Sequence, residues 1–279
     1  MAARWRRAFC GAAALALLLG ACRSPRATPV PAVASEPAPT PQPVVVATPA
    51  APSPKPLLEP TPLVTLTVPG FREAVVSVPL GATEPRVIAL ALHGNFDRPE
   101  WQCEVWRRIT RGEVFVLCPR GVPRRDVPAE LDRWEWGSLA KTKAELLAAL
   151  GALRARYPEH VKAGPLVFTG FSLGAILGAR LIHDQELNVG AAVLVEGGYQ
   201  GWTASKARSL QPSLRGLLFA CGQTECRNAY RYQLEGLLSR AALPASMVAD
   251  TKAGHTYDEP VAALVQAEWP RLLQTILDQ

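Results

Sequence analysis

Histidine is scarce in this chain, with four residues in 279, and no Cys-x-x-Cys pair or His-rich tract accompanies the six cysteines. The ligand spacing of a zinc site is therefore missing, and the pattern implies neither a metal nor any other cofactor. Basic residues form no stripe interleaved with aromatics, which excludes the usual electrostatic footprint of a nucleic-acid partner. The Arg124-Arg125 pair and the scattered arginines read as a solvated face. The formal charge of +6 overstates the matter, since losing Arg4, Arg6 and Arg7 with a leader leaves about +3. No apolar run approaches the length of a membrane-spanning helix, about 20 residues. Between Arg23 and Pro62 the chain has no aromatic and only five charged side chains but thirteen of its 26 prolines. Such a segment cannot bury a core and reads as a disordered linker. At about 3.1 Å each, its forty residues would reach roughly 120 Å as polyproline, less wherever the chain bends.

What is present begins with an address. Arg4, Arg6 and Arg7 precede a short apolar stretch from Ala8 to Leu19, followed by Gly20, Ala21 and Cys22. A basic start, a brief apolar core and a small-residue cleavage site describe a secretory signal. The ending Leu19-Gly20-Ala21-Cys22 resembles the lipobox of bacterial lipoproteins. That resemblance implies a signal peptide over residues 1–21, acylation of Cys22, and membrane attachment without a spanning helix. In the lipoprotein-sorting pattern that this resembles, Arg23 rather than Asp after the cysteine implies the outer membrane. The organisation expected is therefore signal 1–21, linker 22–62 and one folded domain over 63–279, long enough for a single core.

The domain reads as α/β. Leu63 to Val68 and Ala74 to Val78 suggest an antiparallel pair around Pro69-Gly70. Six short apolar runs follow, Val87–Leu92, Val114–Cys118, Leu166–Thr169, Ala191–Val195, Leu217–Cys221 and Ala245–Ala249, each separated by helix-length segments. That alternation predicts a doubly wound, mostly parallel eight-stranded sheet with helices on both faces. Helices are expected over Ala140–Tyr157 and Val261–Ile276 from the spacing of their leucines.

Chemistry concentrates at strand ends. Gly170-Phe171-Ser172-Leu173-Gly174 lies between the run ending at Thr169 and a small-residue helical segment from Ala175 to Ile182. A serine on so tight a strand-to-helix turn needs neighbours without Cβ atoms, and it sits where free N–H groups favour negative charge. A bare G-x-S-x-G arises by chance in roughly one chain in ten of this size, so the context decides. Upstream, Val87–Leu92 ends in His93-Gly94-Asn95. Downstream, Gly254-His255 follows Ala245–Ala249, and Gly222-Gln223-Thr224-Glu225 follows Leu217–Cys221. In this order the chain resembles the α/β-hydrolase superfamily, and within it the small cap-less esterases of the carboxylesterase and dienelactone-hydrolase type.

The resemblance implies a serine esterase acting through an acyl-enzyme on Ser172, with His255 as base and Glu225 as the carboxylate behind it. Asp250, Asp258 and, more remotely, Glu196 are the other acids considered. His160 and His183 lie away from strand ends on the relevant side, and His93 is expected to brace its loop. The oxyanion hole would be the amides of Leu173 and Asn95, with Phe96 an alternative to Asn95. Trp101, Trp134 and Trp136 are expected to wall a substrate pocket, with little room for a lid between Gly197 and Pro212. In an oxidising compartment the four remaining cysteines allow three pairings, and the resemblance favours Cys103–Cys118 and Cys221–Cys226, the second bracketing Glu225. The same machinery would serve amides or peptides, and a catalytically silent binding lipoprotein is a further alternative.

Overall fold

The computed structural model describes residues 54–277; the signal, Cys22 and most of the proline-rich segment lie outside the described residues. In chain order the strands are β1 (Leu63–Leu66), β2 (Ala74–Ser77), β3 (Ile88–Leu92), β4 (Phe115–Cys118), β5 (Val122–Pro123), β6 (Trp134–Glu135), β7 (Leu166–Phe171), β8 (Val189–Val195), β9 (Gly216–Cys221) and β10 (Ala245–Ala249). The helices are α1 (Pro99–Ile109), α2 (Leu139–Arg156), α3 (Leu173–Leu181), α4 (Ala204–Ser209), α5 (Thr224–Ala229), α6 (Glu235–Arg240) and α7 (Val261–Leu277).

Eight strands form one sheet in the order β1-β2-β4-β3-β7-β8-β9-β10, while β5 and β6 make a separate two-stranded ribbon. The β1–β2 and β2–β4 pairings are antiparallel and the remainder parallel. This is the doubly wound sheet the apolar runs predict. Its central strands are buried on both faces, which is why they read as unbroken apolar runs rather than alternating ones. In β3 the larger Ile88, Leu90 and Leu92 join the core beneath α2 and α3, while Ala89 and Ala91 face the cluster built with α1 and α7. Leu90 is fully buried, and its truncation to alanine costs about 2–5 kcal/mol, a large part of a domain's stability.

Two boundaries differ from expectation. The strand before the serine runs on through Gly170 and Phe171, because Phe171 still pairs with Val195 of β8. The linker ends earlier than residue 62. Leu57 is buried in the core, its amide donates to the Ala82 carbonyl, and Glu59 accepts from both Arg156 and the Tyr157 hydroxyl. One apolar side chain and one carboxylate with waiting partners are enough to dock a segment whose composition alone speaks for a tether.

Both cysteine pairs expected from the resemblance are present. Cys103 on α1 is bonded to Cys118 at the end of β4, and Cys221 at the end of β9 to Cys226 on α5. Closing the fifteen-residue separation of the first pair is worth about 3 kcal/mol in the chain-entropy description.

Candidate active site

Ser172 sits at the point where β7 stops and α3 begins, with φ 49° and ψ −113°, in the region that L residues avoid. The surrounding structure enforces this conformation. The Ser172 amide donates to the Val195 carbonyl, and its own carbonyl accepts from Ile176. A Cβ at Gly170 would lie 2.6 Å from the Gly174 carbonyl, and one at Gly174 would lie 2.3 Å from the Leu92 carbonyl. The two glycines are thus required by close backbone approach, and the serine hydroxyl is projected from a backbone held in a costly conformation.

The Ser172 hydroxyl lies 2.9 Å from Nε2 of His255, which the loop after β10 carries. The opposite nitrogen, Nδ1, faces a carboxylate oxygen at 3.2 Å, and that carboxylate belongs to Glu196. The partner expected from the sequence was Glu225, and the structure places it elsewhere. Glu225 is exposed in the first turn of α5 and is not bonded to His255. Asp250 accepts from the Lys252 amide and Asp258 pairs with Arg108, so neither alternative faces the imidazole.

The reason lies in the order of the strands. Glu196 follows β8, the immediate neighbour of β7, and its backbone at φ 52° turns the side chain across the carboxyl end of β9 toward the histidine loop. Its amide donates to Ala220, and Oε1 accepts from the amides of Gly222 and Gln223. The side chain is 1% exposed, against 47% for His255, so a fixed, dry carboxylate backs an imidazole that a ligand can reach. The added length of glutamate over aspartate spans the intervening strand. Sequence offered one signal, an unbroken apolar run ending in Glu196-Gly197, the same punctuation that marks His93-Gly94.

The Cys221–Cys226 bond matters here in a different way from that expected. It closes the loop containing the Gly222 and Gln223 amides, and thereby holds the donors that grip Glu196 rather than flanking an acid of its own. The sulfurs and the Glu196 carboxylate lie within 4.8 Å of one another, but thiols joined in a disulfide offer no thiolate to a metal ion.

On the other side of the serine, the loop after β3 is braced by His93. The imidazole is buried, stacks on Trp136 at 4.6 Å, and has its nitrogens 2.7 Å from the Gly94 carbonyl and 2.9 Å from the Arg120 carbonyl. Burial pulls its pKa below the ordinary imidazole range. Trp136 donates its indole N–H to the His93 carbonyl, and Glu145 accepts from the Arg120 and Gly121 amides, so the brace is itself held. Asp97 accepts from the amides of Gly94 and Arg98 and from the Tyr257 hydroxyl at 3.1 Å, tying this loop to the histidine loop. Burial raises the Asp97 pKa above the usual carboxylate range. The amides of Asn95 and Leu173 make no hydrogen bond among the described residues, which leaves them as available donors. The Asn95 side chain accepts from Arg124.

The three tryptophans separate. Trp101 lines a cleft beside His255 and is 45% exposed. Trp134 and Trp136 do not line it: both are 7% exposed, Trp134 under Arg72 and Arg120, and Trp136 against His93. Their rings pack the long loop onto the body, and their expected role as pocket walls is corrected. Between β8 and β9 only the six-residue α4 intervenes, so no cap domain is inserted there among the described residues.

A hydroxyl, an imidazole and a carboxylate in line, with two unused amides nearby, can take a proton from the serine as it attacks a carbonyl and can hold the charge that develops on the oxygen. No protein-family model matches the chain, and no curated protein matches it. Solved structures do. A carboxylesterase of Bacillus cereus is 19% identical, with a TM-score of 0.50 over 71% of this chain and 93% of the other. A putative dienelactone hydrolase of Klebsiella pneumoniae is 18% identical, with a TM-score of 0.53 over 78% and 98%. A dienelactone-hydrolase-like promiscuous phosphotriesterase from metagenomic libraries is 18% identical, with a TM-score of 0.51 over 77% and 97%. The chain has the α/β-hydrolase fold.

Proposed function

We propose that this protein is a serine hydrolase that cleaves carboxylic esters through an acyl-enzyme on Ser172. The observation that carries the reading is the line of contacts from Ser172 Oγ to His255 Nε2 at 2.9 Å, and from His255 Nδ1 to Glu196 at 3.2 Å. Glu196 selects the tautomer with its proton on Nδ1, leaving Nε2 free to accept the serine proton. Attack of Oγ on the ester carbonyl places negative charge on the carbonyl oxygen, which the amides of Leu173 and Asn95 stabilise. The imidazolium then gives its proton to the departing alcohol, and the acyl group remains on Ser172. A water molecule, deprotonated by the same imidazole, releases the acid and restores the hydroxyl. The exposed His255 and the short β8–β9 connection suit a substrate that reaches the site from solvent.

Fluorophosphonate labelling tests this reading. The expected result is one covalent adduct per chain, mapped to Ser172 and lost in Ser172→Ala. An unlabelled wild-type protein that hydrolyses no ester would mark it as a silent member of the fold. Faster turnover of peptides than of any ester would move the substrate to amides.

We further propose, from the lipobox resemblance, that the protein is held on the outer membrane through a lipid on Cys22 and that small-molecule esters are its substrates. Two or more acyl chains, at about 0.8 kcal/mol per buried methylene, hold a protein durably. Cys22→Ser is expected to abolish acylation and release an exported protein with undiminished specific activity, measured by fractionation and ester turnover. Retention of the variant in the membrane fraction would remove the anchor from the account.

A further inference from the structure

Resting on that reading, we propose that the cleft beside His255 takes the alcohol portion of the ester and that this alcohol carries an aromatic ring. The cleft, about 520 Å³, lies between α1 and the histidine loop, and Phe96, Trp101, Val105, Phe171 and Tyr257 form its apolar wall. Its side of the reaction follows from proton transfer. The leaving oxygen receives its proton from Nε2 of His255, so the group attached to that oxygen must lie against the imidazole. Residues 255–258 in succession line this cleft, which therefore belongs to the alcohol.

The wall is aromatic and prepared. Phe96 and Trp101 leave 44% and 45% of their surfaces exposed in one cleft beside the histidine, an apolar patch of the kind that marks a ligand-binding groove. Guanidinium groups hold both rings in place. Arg98 and Arg133 stand over Trp101 at 5.4 and 4.6 Å, and Arg124 and Arg133 over Phe96 at 5.6 and 5.2 Å. Rings backed by cations stack best on an electron-rich partner, and rings fixed in advance lose little freedom when it arrives. Three carboxylates line the cleft: Glu104 and Asp258 are paired with Arg107 and Arg108, and Asp97 accepts from the Gly94 and Arg98 amides and the Tyr257 hydroxyl. Arg133 has no acidic partner among the described residues and donates to the Leu131 and Asp132 carbonyls instead. Each carboxylate at the cleft is thus already engaged, while the rings offer stacking to an aromatic alcohol.

The test compares benzyl acetate with cyclohexylmethyl acetate, which share the acyl group, the size and nearly the leaving-group reactivity, and differ in aromaticity. With the full-length protein in detergent, benzyl acetate is expected to have a kcat/KM about five- to tenfold higher, the advantage lying in KM. Trp101→Leu, which keeps apolar bulk without the ring, should bring the ratio close to one, and Trp101→Phe should keep most of it. Ethyl phenylacetate and ethyl cyclohexylacetate, with the ring on the acyl side, should be turned over about equally. Equal rates for the two acetates while Ser172 still labels with fluorophosphonate would overturn the aromatic assignment alone. A preference for the aromatic acyl group would overturn the side. Absence of both labelling and turnover would overturn the hydrolase reading together with this one.

Discussion

Ser172→Ala and His255→Ala are each expected to lower ester turnover by about four or more orders of magnitude, with the double variant no worse than either single one. The two side chains act as one unit. Without the imidazole 2.9 Å from Oγ the hydroxyl has no base at neutral pH, and without the hydroxyl the base has no nucleophile to activate. The residual rate would come from the Asn95 and Leu173 amides acting on bound substrate. Neither change removes buried apolar surface, since Ser172 is half-buried and His255 exposed, so the melting temperature should shift little. Steady-state kinetics beside thermal unfolding separates chemistry from folding. Near-normal turnover by a well-folded Ser172→Ala protein would end the serine mechanism.

Glu196→Gln is expected to cost nearly as much, about three to four orders of magnitude in kcat. Glutamine keeps the shape and can still accept from the Gly222 and Gln223 amides through its oxygen. Its NH₂ group, turned toward Nδ1, then favours the imidazole tautomer with its proton on Nε2, which cannot take one from Ser172. The negative charge that steadies the imidazolium is lost as well. Glu196→Asp, one methylene short of the imidazole, should be milder, and Glu225→Gln should stay within about twofold of wild type because its carboxylate is exposed on α5. Reduction of Cys221–Cys226 loosens the loop carrying the Glu196 donors and should lower kcat on the order of tenfold before the fold is lost. If Glu225→Gln proved crippling and Glu196→Gln harmless, the geometry described for the acid would be wrong.

These contrasts also mark what the sequence made legible. The sheet was readable because parallel strands buried on both faces appear as apolar runs, and the serine and histidine were readable because each follows such a run. The acid was obscured by a habit of position. The resemblance pointed to the strand next to the histidine loop, whereas the carboxylate that faces His255 follows the strand beside the serine and crosses the gap with a longer side chain. Nothing local in Glu196-Gly197 reports that distance; it depends on the β8–β9 pairing and on the Gly222 and Gln223 amides. The tryptophans misled for a related reason, since a ring in a loop near the site can serve the substrate or the packing. Only Trp101 faces the cleft, because Trp136 is engaged by His93 and Trp134 is covered by Arg72 and Arg120. The segment around Leu57 was hidden by its prolines, which suit an ordered extended strap as well as a tether.

The most direct measurement is peptide mapping by mass spectrometry after acid quench during turnover of an acetate ester. An acetyl group on the peptide containing Ser172, accumulating in His255→Ala far more slowly than in wild type, is the result expected of an acyl-enzyme built on this serine. Hydrolysis proceeding with no acyl group on Ser172 under single-turnover conditions, or with the group on another residue, would contradict it.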